Sequence, residues 1–308
     1  MQKIPVILDT DIGGDIDDTW ALGMLVNLSA YNIKMVSTVS YDAVYRTKIV
    51  AKFLQTINRT DIPVGIGAST SDQTGAQRDW VEGYDLEKYP GIVHKDAVGA
   101  MAEIIDSAAD PITILCIGTF RNIAELFRRY PGIESKIRIV AMCGSVYQNI
   151  QGENMPIPEW NIVEDISAAQ AVFRKKPSIT IAPVDVCRSV RLEGEEYALV
   201  RDSKLPIPQM ILEQYRNWTR CHPELGGCPQ QYSSTLWDTV AIHLGLSTDF
   251  LEMETLNIRI DDQGYMRIDN TSGPVHCALR WSDLAAFKKY LVKTLTASKT
   301  LPVRSSAS

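Results

Sequence analysis

The chain has 308 residues, 45% of them hydrophobic, and a net charge of −6 at pH 7. That length and apolar content supply one large buried core, and an acidic chain without Lys/Arg runs excludes the electrostatic footprint of a nucleic-acid binder. No stretch reaches the roughly 18 uninterrupted apolar residues of a membrane span, and the N-terminus shows no apolar signal region. A cytoplasmic protein acting on a small molecule is the expectation.

In chain order, β-rich apolar runs alternate with amphipathic stretches. Strands are predicted over Ile4–Leu8, Ile33–Val39, Ile62–Ile66, Ile112–Ile117, Ile137–Met142 and Ser178–Val184. Helices are predicted near Thr19–Ser29, Tyr45–Ile57, Asp96–Ser107, Asn122–Arg129 and Ile166–Arg174. Strand–helix alternation implies right-handed βαβ units, and continuous apolar strands such as ITILCI suit a sheet covered on both faces. After Val184 the pattern predicts helices at Asp202–Asn217 and Leu236–Leu246. A hairpin follows, from Leu256–Ile260 and Tyr265–Ile268 around Asp261–Gly264, then a strand at Val275–Leu279 and a helix over Ser282–Leu291. The fold class is therefore α/β: an open, mostly parallel, doubly wound sheet with added C-terminal helices and a small hairpin. One domain is expected over residues 1–296, with a disordered tail at 297–308. Residues 68–95 and 145–160 read as long irregular stretches, which in a compact domain are usually functional.

Cysteine usage adds little. Cys116, Cys143, Cys187 and Cys277 are scattered, and Cys221 and Cys228 bracket HPELGG without a second Cys/His pair nearby. Reduced thiols are the simple reading, with a Cys221–Cys228 pair or metal site as the alternative.

The informative segment is IPVILDTDIGGDIDDTWAL, with Asp9, Asp11, Asp15, Asp17 and Asp18 directly after a buried strand. Five crowded carboxylates repel one another unless a hard cation with oxygen ligands sits among them. Gly13 and Gly14 permit the sharp turn that brings them together. Strand ends are also where open α/β sheets bind ligands. The plain alternative is a solvated acidic turn in which Asp17 or Asp18 caps the next helix. An EF-hand loop counted from Asp9 fails, because Trp20 stands where a bidentate Glu is required. An Asp-x-Asp phosphatase, with Asp9 as nucleophile and Asp11 as acid/base, fits the strand context but lacks a clear downstream Lys and a late Asp pair.

The run DTDIGGDIDD followed by TWAL resembles the signature of the inosine–uridine preferring nucleoside hydrolases. GTFRNIAELFRRYP, IRIVAMCGSVY, ENMPIPEWNIVEDISAAQAVF and LWDTVAI resemble later segments of that family in the same order, over about residues 4–245. The resemblance implies a Rossmann-like hydrolase fold, a homodimer or homotetramer, a ribonucleoside substrate and a Ca²⁺ cofactor. It implies that Asp11 is the general base activating water. Metal ligands would be Asp11, Asp18, Asp238 and the carbonyl of Ile117. Asp17 would bind ribose hydroxyls, and Glu159, Asn161 and Asn154 the sugar's other side.

Three departures stand out. The turn is one residue longer than the common pattern, which leaves Asp15 as an outer-shell residue. Asp42 replaces a common Asn after the second strand, where it is a candidate for ribose or base contact and for acid catalysis; a strand-end turn Asp is the alternative. Trp237 stands where the pyrimidine-tolerant branch has a leaving-group His, and none of His94, His222, His243 and His276 sits at that position. Trp237 is thus expected to stack on a purine, with Trp80 as a second stacking face and Trp160 beside the ribose. The segment Trp218–Tyr232 is expected to cover the base, with Tyr232 and Arg220 as contacts. Asp185 and Arg188 are either a structural ion pair or substrate groups. Besides hydrolysis of purine ribonucleosides, an unusual N-glycoside, the phosphatase and a non-catalytic ribonucleoside binder remain open.

Overall fold

A computed structural model describes residues 2–298; residues 299–308 of the expected tail lie outside the described residues. Seven strands, β1 (Ile4–Thr10), β2 (Tyr31–Thr38), β3 (Val64–Ile66), β4 (Val93–His94), β5 (Ile112–Cys116), β6 (Ile137–Met142) and β7 (Ser178–Ala182), pair in parallel. They lie in the order β4-β3-β2-β1-β5-β6-β7. The sheet continues through β10 (Gly273–Trp281), parallel to β7, and ends with β8 (Leu251–Ile260) and β9 (Met266–Ile268) in antiparallel pairing. Strand order reverses between β1 and β5, so the crevice beyond their carboxyl ends is the switch point of a doubly wound sheet.

Helices cover both faces, as the apolar strands require. One face packs α1 (Asp17–Asn27), α2 (Ala43–Thr56), α9 (Pro206–Cys221), α10 (Thr239–Leu244) and α11 (Leu284–Leu295) into one core. The other packs α3 (Ala97–Ser107), α4 (Arg121–Arg129) and α6 (Ile166–Arg174) into a second. All five residues of β5 are buried, and each large aliphatic side chain so placed contributes roughly 1.5–3 kcal/mol. Asp42, Asp96, Asp165 and Asp283 cap α2, α3, α6 and α11 by accepting backbone N–H bonds, each worth about 1 kcal/mol.

Several boundaries differ from the sequence reading. β4 has two residues, too few to show a period. α5 (Trp160–Val163), α7 (Val184–Cys187) and α8 (Gly194–Arg201) are additional short helices. The helix expected from Asp202 begins at Pro206, because proline fits the first turn, where its missing N–H is no loss, and it runs on to Cys221. The helix expected from Leu236 starts at Thr239, with Asp238 at its N-cap. All six cysteines are free thiols, so the Cys221–Cys228 pair is not formed.

Candidate active site

The acidic segment enters the switch-point crevice directly from β1. Gly13, at φ 105°, makes the turn, and a Cβ there would stand 2.7 Å from Ile49 Cδ1. Asp17 and Asp18 begin α1, but no side chain caps that helix, and both carboxyls are buried. The solvated capping turn is thereby excluded. Instead Asp18 accepts a hydrogen bond from the Thr10 hydroxyl, and Asp17, Asp18 and Asp238 bring carboxylate oxygens within 4.8 Å of one another. Burial first, then mutual repulsion, hold all three carboxyls well above the usual carboxylate range. An all-oxygen set of buried acids on three adjoining positions fits a hard divalent cation.

Asp11 faces the same cavity, of about 820 Å³, together with Asp17, Asp18 and Asp238. Burial raises its pKa, and Arg46 opposes the rise, with Nη1 3.9 Å from Asp11 Oδ2. Arg46 is 2% exposed and donates to the carbonyls of Ser40 and Ile12, tying the β2–α2 turn to the acidic loop. Asp9 points elsewhere: its carboxylate accepts from Ser37 Oγ (2.7 Å) and Asn122 Nδ2 (2.8 Å), and burial pushes its pKa up to about 7. It does not line the cavity. A phosphatase that attacks through Asp9 therefore has no accessible nucleophile.

Glu159 and Asn161 reach the cavity from the start of α5. Glu159 accepts from the N–H groups of Gly144 (2.8 Å) and Asn161 (2.9 Å), while burial raises its pKa to about 7. Asn161 Nδ2 donates to the carbonyls of Ile117 (3.2 Å) and Met142 (3.0 Å), joining the ends of β5 and β6. The Ile117 carbonyl keeps its second lone pair. Trp160 and Trp237 also line the cavity; Trp160 is 57% exposed and Trp237 half-buried.

Three expected site residues are placed elsewhere. Asp42 is the N-cap of α2, accepting from Tyr45 N at 3.0 Å, and lies off the cavity wall. A short polar side chain at that position satisfies an otherwise orphaned helix donor. Trp80 is 8% exposed within the core, with Lys52 Nζ 4.8 Å from its ring centre, so it is packing rather than a stacking face for the base. Asn154 is exposed and does not line the cavity.

The segment after α9 delivers different side chains from those expected. Trp218, Cys221, His222 and Leu225 line the cavity. Tyr232 instead stacks under Arg191, 3.6 Å from guanidinium to ring centre, and Arg220 bonds Asn217. Asp185 and Arg188 form no ion pair. Asp185 accepts the N–H groups of Val146, Tyr147 and Gln148, and Arg188 donates to Gln148. The long irregular stretches contribute Gly75 and Arg78 from one and Ile157 and Glu159 from the other. Sequence reasoning missed Arg46 and His222; Arg46 is the buried one of three basic residues in α2, and nothing in the sequence marks it off from Lys48 and Lys52.

Comparison with known proteins agrees with this geometry. The family model described as inosine-uridine preferring nucleoside hydrolase matches residues 6–289. The pyrimidine-specific ribonucleoside hydrolase RihA of Escherichia coli O7:K1 is 27% identical over 69% of this chain and 70% of its own length. The non-specific ribonucleoside hydrolase RihC of Klebsiella pneumoniae subsp. pneumoniae is 32% identical over 64% of this chain and 66% of its own. Among solved structures, a plant nucleoside hydrolase matches with a TM-score of 0.80 at 18% identity, covering 96% of this chain and 99% of the other. The purine-preferring ribonucleoside hydrolase of Gardnerella vaginalis matches at 0.75 and 20%, covering 95% and 98%. These likenesses share the fold of a mostly parallel sheet wound with helices. With its acidic turn at the switch point and a family match over nearly its whole length, the chain belongs to the inosine–uridine preferring nucleoside hydrolases and is an enzyme of that class.

Proposed function

We propose that the protein hydrolyses the N-glycosidic bond of ribonucleosides with Ca²⁺ bound, and that purine ribonucleosides are preferred. The observation that carries the reading is the meeting of Asp11, Asp17, Asp18 and Asp238 on one cavity at the sheet's switch point. Asp11, Asp18, Asp238 and the Ile117 carbonyl would hold the cation, which when bound supplies an acidified water and a fixed point for vicinal hydroxyls.

The chain's own groups account for the remaining steps. Departure of the base develops positive charge on the ribose, as in glycoside hydrolysis, and a carboxylate-lined floor stabilises it. Asp11 removes the proton of the attacking water, Arg46 keeping that carboxylate available as a base. Asp17 takes ribose hydroxyls, and Glu159 and Asn161, each fixed by two hydrogen bonds, hold the other side of the sugar. The purine preference rests on the indoles of Trp160 and Trp237 along the cavity wall, which offer flat apolar faces to a base, with the buried Trp218 backing that wall. Homo-oligomerisation is part of the same proposal. It is supported by Tyr147, Ile150, Met155, Trp160 and Val163, exposed apolar side chains on one stretch beside the cavity. No helix among the described residues is long and apolar enough to cross a membrane, which accords with a cytoplasmic setting.

The test is release of reducing sugar from inosine, guanosine, adenosine, uridine, cytidine and 2′-deoxyinosine, with calcium and with chelator. Calcium-dependent release from purine ribonucleosides, weak on deoxyinosine and reduced by about 10² or more in Asp11→Ala, is expected. Equal rates on uridine would remove the purine preference and keep the reaction. No release from any of them would favour an unusual N-glycoside or a binding role.

A further inference from the structure

Cleavage leaves an electron pair on a base nitrogen, and a purine or pyrimidine departs far more readily once protonated. The carboxyl floor lies at the ribose end, so the proton must come from the apolar wall. The lining groups there are poorly suited, with one exception. An arginine such as Arg78 does not release its proton at any working pH, and Trp218 and Trp237 carry only indole N–H groups. The Tyr45 hydroxyl is already engaged, donating to Gly13 O at 3.1 Å and accepting from Gln77 N. Cys221 offers only a weak thiol donor.

The exception is His222, the imidazole among the cavity-lining residues, at the C-terminal end of α9. Its Nδ1 lies 3.3 Å from Glu224 Oε1. An ionised carboxylate only accepts, so Nδ1 carries a hydrogen and the second ring nitrogen, Nε2, is the one that gains and loses a proton. The ring packs at 5.7 Å and 48° against Trp218, which lines the same wall. Asp15 of the acidic loop lines the same cavity. A side chain 38% exposed at the rim is also in touch with bulk water, from which it can be recharged.

We propose that His222, oriented by Glu224, is the catalytic acid that protonates the departing nucleobase, a task for which Trp237, in the turn before α10, has no suitable group. The proposal rests on the nucleoside hydrolase reading above. In the step, the C1′–N bond breaks with its electron pair going to the base. His222 Nε2 gives its proton to a ring nitrogen or carbonyl oxygen of that base. Water adds hydroxide to C1′, its proton passing to Asp11. Nucleoside and water thus become ribose and free base; Asp11 releases its proton to solvent, and solvent returns one to His222.

The experiment compares His222→Gln with wild type on inosine and on p-nitrophenyl β-D-ribofuranoside, whose nitrophenolate leaves without protonation. Expected is a loss of about 10² or more in kcat on inosine with the nitrophenyl riboside changed by less than about threefold. Glu224→Gln should show a smaller loss in the same direction. Inosine hydrolysis at the wild-type rate in His222→Gln would overturn the proposal, and so would an equal loss on both substrates, which marks a structural role. If folding is in doubt, His222→Asn and a melting curve of each variant separate misfolding from lost acid catalysis. A wild type inactive on both substrates would instead overturn the hydrolase reading itself, and the proposal with it.

Discussion

Asp238→Asn separates a cation seat from an ordinary hydrogen-bonded acid network. Three carboxyls within 4.8 Å repel by at least about 3.5 kcal/mol per ionised pair at an effective dielectric of ~20. The metal-free protein escapes full repulsion by binding a proton. Burial and the neighbouring carboxylates hold the Asp238 carboxyl well above its ordinary 3.8, so the folded protein keeps a proton there. Asn at 238 carries no charge and keeps an amide able to bond Asp17, so in chelator the variant should be more stable by about 2–4 kcal/mol. For a chain of this length that is a rise of roughly 3–6 °C in Tm. Folding raises the pKa of all three acids, so the folded state holds the extra protons. The contribution of these three acids to wild-type stability in chelator is therefore greatest below about 3.8 and is lost as pH rises past it towards the raised folded values. In calcium at 100 times Kd the wild type gains about 2.7 kcal/mol, and the variant, short of a ligand, gains much less, so the order reverses. Differential scanning calorimetry in chelator and in calcium reads both. If Asp238→Asn melts below wild type in chelator and calcium shifts neither protein, the carboxyls are not held against repulsion and the cation reading is wrong.

Three further outcomes are expected. Gly118→Ala builds a Cβ 2.9 Å from Asp11 N and 3.0 Å from Asp11 Cβ, so kcat should fall at least tenfold while Tm drops by only a few degrees, read by steady-state kinetics beside calorimetry. In Glu159→Gln one of the N–H groups of Gly144 and Asn161 loses its acceptor, so stability should fall by about 1–3 kcal/mol in urea titrations, with KM rising more than kcat falls. His243 is buried against Phe250, Phe287 and Tyr290, and burial lowers its pKa, so the unfolded chain takes the proton first. Stability is thus fully present above about 6.5 and is lost as pH falls through the folded value; His243→Leu should flatten that acid slope in melting curves.

What the sequence made legible follows from where the information is local. The β1 strand and its acidic turn are contiguous, and five acids after an apolar run have few physical explanations, so Asp11, Asp17 and Asp18 could be read directly. Asp238, Glu159, Asn161 and Ile117 came from the ordered segments that resemble the family, and the structure brings them to the same cavity. Asp42 and Trp80 were misplaced for one reason. Both follow strand ends or lie in a long loop, but a residue's direction there depends on the turn geometry, and one became a helix cap while the other sank into the core. Arg46 and His222 were missed because their partners are remote: Arg46 bonds Ile12 from 34 positions away, and His222 meets the acidic loop only because α9 folds back over it. The sequence reading begins α9 four residues early, at Asp202, because it places Pro206 inside the helix that Pro206 starts.

The two ends of the cavity are built on different physical terms. At the end proposed for the ribose the groups hang from strand ends and helix starts, and Glu159 and Asn161, both buried, are held by two hydrogen bonds each. Moving any of them leaves a buried donor or acceptor unpaired, a cost of about 1–3 kcal/mol apiece, so that end resists change and fixes the sugar. At the end proposed for the base the wall consists of the buried Trp218 of α9 and of Trp160, His222, Leu225 and Trp237, partly or fully exposed, with few polar bonds. Apolar contacts are non-directional, and a hydrophobic wall discriminates between related ligands by only about 1–3 kcal/mol. On the proposed reading, a site so divided would keep its reaction while its preferred base changed. It follows that substitutions along α9 and its following turn should alter which base is released, whereas substitutions at β1 should alter whether any is.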